Sequence, residues 1–269
     1  MSSDAPLQAL LDALGDTAAL ADDQSRSTPP QAFVSEDFHD LEVDRIFNHE
    51  WHCVGREDEF AEPGAYRTLT IGRDPVIVVR DGESGLRAMS NVCRHRMMTL
   101  VHGEGRLGHR ITCPYHAWSY ASDGRLTGAT HVADDFDMAS CRLPQFQVEV
   151  WQGWVYVNLD PTAPPLGPRL AGLGERYDRH HMARYRSLFR VDVDPGTWPE
   201  GETGACRAKE LREIFDRINE EDKPIVAAVA RNAQASAATP GRLSAKERTI
   251  RDFQRYLARR LRDPRAVPV

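Results

Sequence analysis

The stretch NVCRHRMMTLVHGEGRLGHRITCPYHAWSY, residues 91–120, decides how this chain is read. It carries four side chains of metal-ligand type in two short pairs, Cys93 with His95 and Cys113 with His116. Seventeen residues, 96–112, lie between the pairs, so the pattern is C-x-H-x17-C-x2-H. Two kinds of site use two thiolates and two imidazoles. A tetrahedral zinc takes all four on one ion, and its usual spacing pairs Cys with Cys and His with His. A [2Fe-2S] centre with mixed ligation puts two Cys on one iron and two His on the other, each loop giving one ligand to each iron. The mixed pairs here fit the second.

Outward from that stretch the apolar period is two. Residues 66–71 and 75–80 read as strands joined around Gly72-Arg73-Asp74, and Asp81-Gly82 turns into a third run over 86–92 that leads into the first Cys/His loop. Ile111 and Thr112 enter the second loop, residues 118–120 leave it, and later strands fall at 145–150 and 154–158. The expectation is an antiparallel β domain with two ligand loops at one tip, held by the strands behind them. His102 and His109 match no ligand position and are expected on the loop surface. Trp118 follows the second loop directly, where it would shield a centre from water.

Helical signals occupy the two ends. Leu7, Leu10, Leu11 and Leu14 follow i, i+3, i+4, i+7, residues 22–30 read as a polar linker, and Ser35 can cap a helix reaching about His49. Beyond a Pro-rich run at 161–168, helices are predicted at 170–188, around Leu211, Ile214, Phe215 and Ile218, and over 224–238, with a loop at 191–204. The last helix is announced by the capping box Ser244/Glu247, and its apolar face reads Leu243, Ile250, Phe253, Leu257 and Leu261.

The segments NVCRHR, CPYHAWSY and DGRL resemble the Rieske domain of the α subunits of ring-hydroxylating and related Rieske non-haem iron oxygenases, from about Phe33 to Asp160. Met97 departs from the pattern, because much of the family has glycine after the Arg-His-Arg triplet. Respiratory Rieske proteins add a cysteine to each loop, whereas Met98 and Tyr115 stand here with no spare cysteine nearby. The resemblance implies an α+β fold in three parts: an N-terminal helix and linker at 1–32, a Rieske [2Fe-2S] domain at 33–160, and at 161–269 a shortened, mainly helical remnant of the oxygenase catalytic domain. It also implies that Cys93 and Cys113 hold one iron and His95 and His116 the other, with a potential in the lower Rieske range.

What normally follows that domain is not recognisable. The Asn-Trp-Lys segment and the helix bearing two histidines are missing, and only His180 and His181 follow the Rieske stretch. Neighbours on a helix point about 100° apart, so a mononuclear Fe(II) on these two is not expected. An internal deletion at about 190–209 is the reading. The expected function is single-electron transfer through the cluster, with a reductase or ferredoxin as donor, and catalytic residues are not assignable. The alternatives are a non-catalytic partner or regulatory subunit in a homo- or hetero-trimer of α subunits, or an active oxygenase with an atypical iron site.

Composition sets outer limits. A formal net charge of -6 argues against a nucleic-acid binder. No run of eighteen apolar residues and no leader-like segment is present, which reads as no membrane and a cytoplasmic protein. Cys53, Cys141 and Cys206 are expected as free, buried thiols. Charge is unevenly spread: residues 1–50 hold eleven acidic and two basic side chains, and residues 240–269 hold nine basic and three acidic. The basic end reads as a solvated face or a surface for an acidic partner.

Overall fold

The computed structural model describes residues 5–82, 85–130, 132–133, 135–187 and 206–264. The predicted loop at 191–204 and most of the predicted deletion lie outside these residues, as does the side chain of Cys206. In chain order the helices are α1 (Ala5–Ala19), α2 (Glu36–Glu42), α3 (Leu166–Arg169), α4 (Ala171–Tyr177), α5 (Cys206–Ala233) and α6 (Arg248–Arg260). The strands are β1 (His52–Arg56), β2 (Ala65–Ile71), β3 (Asp74–Asp81), β4 (Gly85–Ser90), β5 (Glu104–Arg106), β6 (Ile111–Thr112), β7 (Ser119–Tyr120), β8 (Leu126–Gly128), β9 (Gln145–Trp151) and β10 (Trp154–Asn158). The chain divides into two units, residues 47–188 and residues 1–46 with 189–269.

The unit 47–188 is built on antiparallel strands. Seven form one sheet in the order β1-β10-β9-β4-β3-β2-β5, and three short strands form a second, β6-β7-β8. The run Val76, Ile77, Val78, Val79 on β3 is wholly buried, and its period-two alternation divides it between two cores. Ile77 and Val79 face a core that also holds Cys93, Cys113, Trp118 and Tyr120. Val76 and Val78 face Val54, Phe60, Ile71, Val155 and Val157. Each such side chain contributes roughly 1.5–3 kcal/mol by leaving water, so β3 anchors from behind the core that holds the two cysteines. The β9–β10 connection is a tight two-residue turn in which Gln152 and Gly153 both take positive φ, 50° and 77°, as the twist of a hairpin demands.

Buried charge braces one corner. Arg67, on β2, is 8% exposed and lies between Glu59 at 3.1 Å and Glu104 at 2.8 Å, and it donates also to the Val54 carbonyl. Burial lowers its pKa, and the two carboxylates outweigh that and raise it. Arg56, 6% exposed, donates to the carbonyls of Gln152, Met182 and Tyr185, and Ser187 N–H donates to Asp58. Residues 182–187 are thereby fastened to the sheet corner.

The other unit brings the chain's two ends together. Leu10 and Leu14 of α1, Phe38 of α2, and Leu257 and Leu261 from and just after α6 form one core. Arg251 meets Asp22 at 2.8 Å, Arg255 meets Asp22 at 3.5 Å, and Arg262 meets Asp12 at 3.7 Å. The uneven charge of the sequence is thus matched in part within the chain: acidic residues near one end face basic residues near the other. Residues 22–28, read as a linker, are pinned by Ser27 N–H to the Gly241 carbonyl and by Gln254 Nε2 to the Arg26 carbonyl.

Several local expectations change. Ser35 caps α2 as predicted, accepting from Phe38 N–H at 3.2 Å, but α2 gives way to a wider helical turn at residues 43–47. The capping box before α6 forms, yet its buried face is turned from the predicted one. Gln254 is 0% exposed, whereas Ile250 and Phe253 are 41% and 56% exposed. The reason is that Arg251 and Gln254 find polar partners on residues 22–28, a gain that an apolar count omits. The two helices predicted at 211–218 and 224–238 are one, α5, with Pro224 inside it. The helix predicted at 170–188 is instead broken: Gly172 and Gly174 weaken it and His181 adopts a left-handed conformation at φ 51°.

Candidate metal centre

Both loops that carry the candidate ligands are built on the same backbone turn. In the first, Cys93 N–H donates to the Met98 carbonyl at 2.8 Å and Met97 N–H to the Cys93 carbonyl at 3.0 Å. In the second, Cys113 N–H donates to the Trp118 carbonyl at 2.8 Å and Ala117 N–H to the Cys113 carbonyl at 3.1 Å. The fourth residue after each cysteine is left-handed, Met97 at φ 56° and Ala117 at φ 55°. That conformation explains the family's glycine at the first position: a side chain there is strained by roughly 1–2 kcal/mol. Asn91, 2% exposed, closes the base of the first loop through Nδ2 to the Val101 carbonyl and Val101 N–H to its Oδ1.

The four candidate side chains divide by chemistry. Cys93 and Cys113 are 2% and 3% exposed within one core. His95 and His116 are half-buried, with ring centroids 4.9 Å apart. Among the described residues no three His, Cys, Asp or Glu side chains gather around one ion position. Two thiols inside and two adjoining imidazoles further out are the donor division of a Rieske cluster, in which no iron takes more than two protein ligands. The residues present therefore fit a [2Fe-2S] group.

The surroundings hold these groups. Trp118, buried, stacks on His95 at 4.7 Å and 5°, and Tyr115 lies over His116 at 3.7 Å. Tyr120 is fully buried with its hydroxyl 3.3 Å from Cys93 Sγ, and it accepts a hydrogen bond from Arg94 N–H at 3.0 Å. Burial, then the contact with Cys93, pushes the phenol well above its usual range, so it stays protonated and can donate toward sulfur. Trp118 stands where the sequence predicts a shield. Tyr120 appears in the sequence only as part of the strand leaving the second loop, yet a strand residue seven positions past Cys113 is well placed to point back at the first loop.

Other candidates separate clearly. His102 and His109 are exposed, as expected. Arg94 and Arg96 are exposed beside the first loop. Cys53, expected buried, is exposed, because strand alternation turns Val54 inward and Cys53 outward. Cys141 is half-buried, and burial raises its pKa against the opposing pull of Arg94. His180 and His181 do not share a helix: His180 ends a short 3-10 turn, and His181 is its left-handed cap. Both are exposed.

Comparison with known proteins agrees with the geometry. Residues 50–147 match the Rieske [2Fe-2S] domain family. The chain is 34% identical over 150 residues to the carnitine monooxygenase oxygenase subunit of Escherichia coli (strain K12), covering 55% of this chain and 40% of that protein. It is 32% identical over 180 residues to the benzene 1,2-dioxygenase subunit alpha of Pseudomonas putida, covering 66% of this chain and 39% of that protein. The match spans about two fifths of these relatives. A solved quaternary ammonium Rieske monooxygenase, for which inter-subunit electron transfer is described, aligns with a TM-score of 0.56 at 31% identity over 63% of this chain and 46% of that one. The apo form of such an enzyme aligns at a TM-score of 0.77 over 93% of this chain and 98% of that one, at 21% identity, a likeness of fold alone. Residues 50–147 thus belong to the Rieske [2Fe-2S] domain family, and the stretch around them is similar to the oxygenase α subunits that carry this domain.

Proposed function

We propose that Cys93 and Cys113 hold one iron and His95 and His116 the other iron of a [2Fe-2S] cluster, and that the chain uses it to pass single electrons. The observation that carries this is the pair of matching turns that present two buried thiols and two adjoining imidazoles. The cluster, when bound, supplies reversible one-electron chemistry. The chain's own residues set its conditions: Trp118 covers His95, Tyr120 donates toward Cys93, and the core behind β3 excludes water. A reductase or ferredoxin is the proposed donor, and assembly with α subunits the proposed context. The free thiol of Cys53 suits a reducing compartment, so the proposal places the protein in the cytoplasm.

Among the described residues the proposal assigns no mononuclear iron site. His180 and His181 are exposed on a broken helix, and among the described residues they join no group of three His, Cys, Asp or Glu side chains. Iron, acid-labile sulfide and zinc measured on anaerobically purified protein test the reading. About two irons and two sulfides per chain are expected. One zinc without sulfide would reject the cluster, and a third iron would restore an oxygenase site.

A further inference from the structure

We infer that Thr130 is a positioning residue for both cluster histidines, an inference that rests on the ligand assignment above. The two imidazoles belong to different loops, and something must hold them in register. His95 has its orientation set by the parallel stack on Trp118, 4.7 Å between centroids. Trp118 is held in turn by its Nε1–H, which donates to the Thr130 carbonyl at 3.3 Å. The hydroxyl of the same Thr130 donates to the His116 carbonyl at 2.6 Å. One residue thus grips the plate behind one histidine with its main chain and the backbone of the other with its side chain.

The sheet explains how it gets there. Thr130 follows β8, which pairs with β7 through Ser119↔Gly128, and Thr127 Oγ1 donates to the Ser119 carbonyl at 3.1 Å. Trp118 precedes Ser119, so the strand that leaves the second loop and the strand that returns beside it bring residue 130 level with the loop. Ala129 packs against the ligand core and fixes the approach. Side-chain orientation around first ligands is known to tune such centres.

The test compares wild type with Thr130→Val, which keeps shape and carbonyl but removes the hydroxyl, Thr130→Ser, which restores it, and Trp118→Phe, which keeps a ring but removes the N–H. Iron and sulfide are counted first; zinc in place of iron in the wild type would overturn the ligand reading and this inference with it, whereas failure of the variants alone overturns only this inference. The expected result for Thr130→Val is broadened EPR features of the reduced cluster and a roughly threefold lower reduced-to-oxidised ratio at fixed redox poise, because the donor to the ligand residue's carbonyl is gone. Thr130→Ser is expected to restore both, and Trp118→Phe to broaden the same features. If Thr130→Val loses the cluster while Thr130→Ser keeps it, the hydroxyl is needed and the inference stands. A Thr130→Val protein with wild-type ratio and line shape overturns it, as does a Thr130→Ser protein that behaves like Thr130→Val.

Discussion

Replacing Tyr120 with Phe removes one oxygen from a wholly buried position and should lower the reduction potential of the cluster. The hydroxyl lies 3.3 Å from Cys93 Sγ and accepts from Arg94 N–H, and with the sulfur bound as a thiolate only the hydroxyl has a hydrogen to donate across the contact. A hydrogen bond to a charged acceptor is worth about 1.5–3 kcal/mol. Only the part that strengthens when the cluster gains an electron reaches the potential; taking about a third gives ~0.5–1 kcal/mol. At about 59 mV per tenfold change for a one-electron couple, this is a fall of roughly 20–40 mV. Stability should also drop by about 1 kcal/mol, because Arg94 N–H loses its acceptor. EPR-monitored redox titration of the two proteins measures the difference directly. An unchanged or raised potential, in a variant with full iron and sulfide content, would refute the direction assigned to this hydrogen bond.

Three further outcomes are expected. Arg67→Met removes the buried guanidinium shared by Glu59 and Glu104 and should cost about 3 kcal/mol of stability, read by thermal or denaturant unfolding. Met97→Gly relieves a left-handed side chain that is 83% exposed, and should stabilise the protein by roughly 1 kcal/mol with an unchanged cluster spectrum. Burial raises the Asp160 carboxyl, but hydrogen bonds from Thr162 and His49 outweigh it and hold its pKa below the ordinary value. A depressed folded pKa adds stability that is present above the unfolded pKa of about 4 and is lost as pH falls through the lower folded value. Acid unfolding followed by near-UV circular dichroism should therefore steepen below about pH 4 in the wild type and less so in Asp160→Asn.

The β unit was legible because its signals are local. Residues 66–71 and 75–80 alternate or run apolar between turn residues, and the observed strands extend them by at most one residue at an end. The two loops that carry the candidate ligands stood out because Cys and His at that spacing have few other uses. What escaped were matters decided by contacts far along the chain. β1 was hidden because it follows α2 closely and its pairing partner β10 lies about a hundred residues later. The buried face of α6 was misread because Gln254 Nε2 donates to the Arg26 carbonyl and the Thr28 hydroxyl, contacts no periodicity announces. Thr130 carries no signal at all in sequence: its role comes from where β8 ends.

The unit made of residues 1–46 and 189–269 is interrupted by the whole of the other. During synthesis the ribosome finishes residues 47–188 while α6 is not yet made, and domains tend to fold as units in the order they emerge. Leu10 and Leu14 then wait, exposed, for Leu257 and Leu261. The two Cys/His loops can thus be complete before α6, which packs on α1, has been made.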